Sequence, residues 1–213
     1  MNVANYIDHT LLRPDCTARD LELLCQEAIE NKFHAVCIPP FFVQTAARIL
    51  DKHPVKIATV VGFPLGYSAV AAKIEEIKRA LNEGADEIDA VINICAAKSA
   101  HWSYLRNEID GMTTAAHMKG KSIKLILETG LLTKTELKKL CDICNDVRVD
   151  YVKNATGFNA EGASVDIVKT LRQHLSPDIK IKAAGGVRTA EFARELIKAG
   201  ADRLGSSTSV LLL

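Results

Sequence analysis

Apolar and polar positions follow two rhythms along this chain. Short runs rich in Val, Ile and Ala recur eight times: Ile7–Leu12, Ala35–Ile38, Val55–Gly62, Glu87–Ile94, Ile123–Glu128, Val149–Lys153, Ile179–Ala184 and Arg203–Ser206. Their length and β-branched content predict strands. Between them lie seven longer amphipathic stretches, with apolar residues three and four apart, which predict helices packed on a sheet. Thr133-Lys-Thr-Glu136 predicts a capping box at the start of one helix. Gly84 and Gly200 each precede an Ala-Asp turn back into a strand, where glycine accepts a left-handed backbone.

Eight strands alternating with helices predict an α/β protein, a single (β/α)8 TIM barrel over residues 1–213. The rival, a doubly wound open sheet, carries a Gly-rich turn after its first strand. This chain has no GxGxxG and no Walker motif; its Gly185-Gly186 pair follows the seventh strand, where barrels build phosphate sites.

Composition narrows the partners. Hydrophobic residues make up 48% of the 213 and aromatics only 5%, which suits a parallel sheet buried under helices. A net charge of +1, with no basic block, argues against nucleic acid. The start MNVANYIDHT lacks a signal-peptide pattern and no apolar run approaches 18 residues, so a cytoplasmic protein without a membrane span is expected. In that compartment the six cysteines are expected as free thiols. Cys141 and Cys144 form a CxxC, but they share a helical face with Leu137 and Leu140, so they are read as core residues.

In a barrel, chemistry sits where strands end. Polar residues near those ends are Asp8, Asp89, Asn93, Glu128, Lys153, Lys182, Ser206 and Ser207. Period two turns Asp89, Glu128 and Lys153 inward and sets Glu87, Lys124 and Lys180 lower on the inner faces, as candidates for ion pairs at the barrel floor. A free lysine is only about 0.04% neutral at pH 7. A second ammonium about 6 Å away, at an effective dielectric near 20, disfavours its charge by about 2.8 kcal/mol. Lys153 beside Lys182 is therefore a candidate imine-forming amine, with a carboxylate on the same rim to move protons. The turn Ala184-Gly-Gly-Val-Arg-Thr189, leading into a predicted helix at Ala190–Ala199, and Gly205-Ser-Ser-Thr208 offer N–H and hydroxyl donors for an anion. A small phosphorylated substrate is implied. The six histidines lack paired ligand spacing and no GxSxG is present, so neither a metal nor any cofactor is expected. These residues also fit a sugar-phosphate isomerase or epimerase with Asp89 or Glu128 as base, a barrel that only binds sugar phosphate, or a structural ion-pair network.

The segments YIDHTLL, AVCIPPFFV, ATVVGFPLG, GADEIDAVIN, KLILETGLL, DYVKNATGF, IKAAGGVRT and RLGSSTS span nearly the whole chain. In order and spacing they resemble the deoxyribose-phosphate aldolase family, class I Schiff-base aldolases on a (β/α)8 barrel that work without metal. The resemblance implies reversible cleavage of 2-deoxy-D-ribose 5-phosphate to acetaldehyde and D-glyceraldehyde 3-phosphate. It implies Lys153 as the Schiff-base lysine, Lys182 as the second lysine and Asp89 as the relay carboxylate. Asp8 and Thr10 resemble pocket residues near the substrate hydroxyls, and Cys37 a pocket cysteine able to trap aldehyde by-products. Thr156, Gly157, Gly185, Gly186, Ser207 and Thr208 are the substrate contacts it implies, mainly to phosphate. The chain departs from the family in three places. Asn154 and Ala155 stand where the lysine motif usually has Thr and Ser, and Pro39 where asparagine or tyrosine is expected. The chain ends at Leu213, so a longer C-terminal tail with a phosphate-approaching tyrosine is expected to be missing. A homo-oligomer is compatible with the sequence but is not specified by it.

Overall fold

The computed structural model describes residues 2–213. Its strands β1 (Ile7–Thr10), β2 (Ala35–Ile38), β3 (Lys56–Val61), β4 (Glu87–Val91), β5 (Ser122–Ile126), β6 (Tyr151–Lys153), β7 (Lys180–Ala184) and β8 (Arg203–Ser206) close in sequence order into a parallel barrel. Helices α1 (Ala18–Glu30), α2 (Val43–Ile49), α3 (Val70–Asn82), α4 (Ile94–Lys98), α5 (Trp102–His117), α6 (Lys134–Val147), α7 (Val165–His174) and α8 (Ala190–Ala199) cover its outside. The fold is therefore the predicted single-domain TIM barrel. A 3-10 turn, Ser209–Leu212, follows β8.

Alternation along each strand divides the barrel into two environments. Val36, Ile38, Ile57, Ile88, Leu125, Val152, Ile181 and Leu204 face the helices and belong to the main apolar core. The helices meet them with the faces their periodicity predicts. In α6, Leu137, Leu140, Cys141 and Cys144 are buried, the Thr133 capping box forms with Glu136, and the helix stops at Arg148 in the left-handed region. Gly84 and Gly200, at φ of 115° and 114°, make the turns expected of them. Burial raises the Cys141 thiol to about 12 and Cys144 well above its ordinary value, so this CxxC is packing, not a redox pair.

Element ends depart from the sequence reading where a side chain captures the backbone. The Asn93 carboxamide accepts the Ala96 N–H, so β4 stops at Val91 and Ile94 opens α4 instead of continuing the strand. The stretch after β4 thus holds two helices, giving eight in seven connections. Glu128 adopts φ of 55°, which ends β5 two residues early.

Candidate active site

The inner faces carry an unusual load for a barrel. Towards β2 and β3 the lining is small and apolar, made of Cys37, Ala58 and Val60. Towards the remaining strands it is charged: Asp8, Glu87, Asp89, Lys124, Lys153, Lys182 and Arg203 are all buried. Register sets their neighbours, with Asp89 opposite Lys124, Lys153 opposite Lys182 and Lys182 opposite Arg203.

Asp89 is the hub. Its Oδ2 accepts from Lys153 Nζ at 2.9 Å and from Lys182 Nζ at 2.7 Å, while its Oδ1 accepts from Lys124 Nζ at 2.8 Å. Two ammonium nitrogens on one oxygen lie within roughly 6 Å of each other, the separation used above. Below this hub Lys124 also pairs with Glu87 at 2.6 Å, and Arg203 bridges Asp8 at 2.8 Å and Glu87 at 3.0 Å. Burial alone would push Asp89 up, but Lys124, Lys153 and Lys182 outweigh it and hold the carboxyl well below its ordinary range. Asp8 and Glu87 are lowered for the same reason. Burial opposes the charge on Lys182, yet Asp8 and Asp89 overcome it and hold the ammonium above its ordinary value; Lys124 is held up likewise by Asp89 and Glu87. The cluster sets three carboxylates against four cations, leaving one positive charge in excess.

Lys153 is where this cluster opens to the outside. With Thr10, Thr156, Gly157, Gly185, Gly186 and Ser207 it lines a cavity of about 240 Å3 at the C-terminal rim. Gly157, Gly185 and Gly186 have φ of 85°, 90° and 78°, which turn the β6 and β7 loops past each other. A Cβ on Gly162 would come within 2.2 Å of the Gly185 carbonyl oxygen, so that approach requires glycine. Gly205 makes room of another kind, since a Cβ there would lie 3.3 Å from Lys182 Cε.

Other expected residues fall elsewhere. Asp8 lies beneath the cavity, bound to Lys182 and Arg203, with no place in the cavity wall. Cys37 is buried with Sγ 4.0 Å from Asp89 Oδ2, and burial raises its thiol. Thr208 stands outside the cavity and donates its N–H to Ser206 Oγ. Asn93 is a helix cap. Glu128 organises a loop: it accepts from the Thr156 N–H and hydroxyl and from Asn159 Nδ2 at 3.0 Å. Lys180 is exposed, 5.5 Å from the centroid of the Tyr151 ring, so at the floor it meets an aromatic face where an ion pair was the expectation. Helix α8 begins at Ala190 as predicted, but the Thr189 hydroxyl already accepts the Phe192 N–H and the cavity wall ends at Arg188. Asn154 accepts the Ala184 N–H at 2.8 Å, stitching β6 to β7, while its Nδ2 has no partner among the described residues.

Three features were missed in the sequence. Arg188 lines the cavity although only the glycines of its motif were singled out. Arg203 was read as an ordinary strand residue; period two from Gly205 would have turned it inward. Lys73, wholly buried on α3, donates to the Val91 carbonyl at 2.7 Å and to Glu108 at 2.9 Å, and also bonds the Gly66 carbonyl. It pins the β3–α3 loop, whose Phe63 meets Phe158 of the cavity wall edge-on at 5.2 Å. No sequence pattern marks that long-range contact.

Among the described residues, no helix is long and apolar enough to cross a membrane, and no three His, Cys, Asp or Glu side chains are grouped to hold a metal ion. A family model described as DeoC/LacD family aldolase matches residues 2–209. The chain is 45% identical over 213 residues to a deoxyribose-phosphate aldolase of Desulfitobacterium hafniense, covering 100% of this chain and 98% of that one. It is 43% identical to the Thermococcus gammatolerans enzyme of the same name, covering 100% and 96%. Among solved structures, the tetrameric deoxyribose phosphate aldolase from Aeropyrum pernix superposes with a TM-score of 0.92 at 31% identity, covering 99% of this chain and 88% of that one.

Proposed function

The chain belongs to the DeoC/LacD family of aldolases, and from that premise we propose that it reversibly cleaves 2-deoxy-D-ribose 5-phosphate through a Schiff base on Lys153. The observation that carries this reading is the shared oxygen: Asp89 Oδ2 holds Lys153 and Lys182 side by side, and of the two only Lys153 reaches the cavity wall. Charge balance points the same way. Lys124, Lys182 and Arg203 are each held as cations, so loss of a proton from Lys153 is the change that neutralises the cluster.

In the cleavage direction the Lys153 nitrogen adds to C1 of the open-chain sugar, and the carbonyl oxygen leaves as water to give an iminium ion. A base removes the C3 hydroxyl proton, and we assign this to Asp89 through Lys182 and a water molecule. The C2–C3 bond breaks, its electron pair moving into the iminium to form an enamine over C1 and C2. Carbon 3 becomes the aldehyde of D-glyceraldehyde 3-phosphate. Protonation of the enamine at C2 and hydrolysis release acetaldehyde and return the Lys153 amine. Gly157, Gly185, Gly186 and Ser207, with the Arg188 guanidinium, suit the phosphate end. A cytoplasmic setting suits the six free thiols, and a homo-oligomer suits the tetrameric relative.

Borohydride added during turnover should leave a reduced two-carbon or sugar adduct at Lys153, located by peptide mass spectrometry. Turnover with no adduct at that residue would refute the covalent route.

A further inference from the structure

Outside the charged cluster, His9 takes part in a constellation the mechanism does not use. Alternation along β1 turns Asp8 into the barrel and His9 out of it, where the ring is 3% exposed and packs on Phe33 at 5.2 Å. His9 Nε2 lies 2.7 Å from Glu27 Oε2 of α1, and Nδ1 lies 3.0 Å from Ser209 Oγ. The Ser209 hydroxyl in turn donates to the Ser206 carbonyl at 2.9 Å. Serine, histidine and glutamate so arranged resemble a nucleophile triad, but Ser209 is wholly buried and has no access to a substrate.

Counting protons shows what the arrangement holds. The Ser209 hydroxyl has one proton, and the bond to the Ser206 carbonyl uses it. The contact with His9 Nδ1 therefore needs an N–H on the ring. An ionised Glu27 only accepts, so Nε2 needs an N–H as well. All three bonds form together only when His9 is an imidazolium. Glu27 is a charged group in contact with the ring, and Ser209 and Phe33 also pack on it.

Ser206 is the last residue of β8 and opens the cavity wall that continues through Ser207. Its hydroxyl donates to the Val187 carbonyl at 2.7 Å, which ties this wall to the neighbouring β7 loop. We propose that protonated His9 is a positioning residue for the phosphate end of the cavity, acting through Ser209 on Ser206 and without touching substrate. The inference rests on the phosphate assignment above.

The test uses the whole enzyme with 2-deoxyribose 5-phosphate and with unphosphorylated 2-deoxyribose. Ser209→Ala, and His9→Gln, which keeps a donor for Glu27 but loses the one for Ser209, should each raise KM for the phosphorylated sugar by about three- to tenfold, the size of one hydrogen bond. Their kcat, and their kcat/KM on the unphosphorylated sugar, should stay within about twofold, well under one hydrogen bond. His9→Asn restores a donor at the Nδ1 position and should return KM towards wild type. An equal fall on both sugars, an unchanged KM, or no rescue by asparagine overturns the proposal. Proton NMR of the wild-type enzyme at neutral pH supplies an arm that needs no variant and no substrate. Two ring N–H signals from His9 support the proposal, and a single one overturns it. If 2-deoxyribose 5-phosphate is not a substrate at all, the proposed function fails first, and the His9 protonation state is still read by NMR.

Discussion

Replacing Lys182 by methionine removes one cation while keeping most of the side chain's volume. Lys182 lies within roughly 6 Å of the Lys153 nitrogen across Asp89 Oδ2, and two cations at that separation repel by about 2.8 kcal/mol at an effective dielectric near 20. Without it the cluster has three cations against three carboxylates and is already neutral with Lys153 protonated. The expected result is a loss of about a hundredfold in kcat/KM at pH 7, the rate equivalent of that repulsion. Activity should partly return near pH 9. Borohydride trapping at pH 7 and pH 9 should follow the same course, since both need the free amine. Asp8 keeps Arg203 at 2.8 Å and Lys124 at 3.8 Å, so the variant remains folded, as a thermal melt would check. A loss of equal size at every pH would refute the crowding argument and leave Lys182 only as a proton carrier.

Arg188→Gln should raise KM for the phosphorylated sugar about tenfold or more, the loss of a charge-assisted hydrogen bond, with a weaker salt dependence than wild type. Gly205→Ala brings a methyl group to 3.0 Å from Ala184 Cβ and 3.3 Å from Lys182 Cε. It should cost about 1–3 kcal/mol of stability on denaturant titration and lower kcat by moving the second amine. A fully active, fully stable alanine variant would show that this clearance is unnecessary. Asp8, Glu87 and Asp89 are held below their ordinary values, so the stability they contribute is fully present above the unfolded range near pH 4. It is lost as pH falls through their lower folded values. Urea midpoints should therefore hold down to about pH 4 on account of this cluster and fall below it, and the fall should shrink in Asp89→Asn. Lys73→Met leaves Glu108 buried without its cation and should destabilise by about 3–5 kcal/mol, with the β3–α3 loop the first segment to exchange its amides.

Much of the barrel was legible because parallel strands buried on both faces leave strong local marks. All eight were found, and β2, β6, β7 and β8 ended where expected. Ends were misplaced where a polar side chain competes for backbone groups, as Asn93 does after β4. The site was legible in part. Lys153, Lys182 and Asp89 do converge, and period two placed Glu87 and Lys124 on the inner face beneath them. Electrostatic consequences were harder to foresee. Two lysines suggested mutual repulsion, but sequence separation hid how Asp8, Asp89, Lys124 and Arg203 interleave with them. Lys73 and Glu108 lie 35 positions apart with no motif linking them. Asp8 was grouped with the strand-end polar residues although it is the second residue of β1, a layer below Thr10.

The opposition of Lys153 and Lys182 in the β6–β7 ladder carries a mechanical implication. Like charges forced together in an open sheet could relax by one edge strand sliding along its neighbour. A closed cylinder has no loose edge, and any slip must be shared by every strand around the circumference. The placement of the two amines around Asp89 is thereby locked in for as long as the hoop is intact. Hydrogen exchange at the amides of β6 and β7 should then proceed only through cooperative opening of the whole molecule.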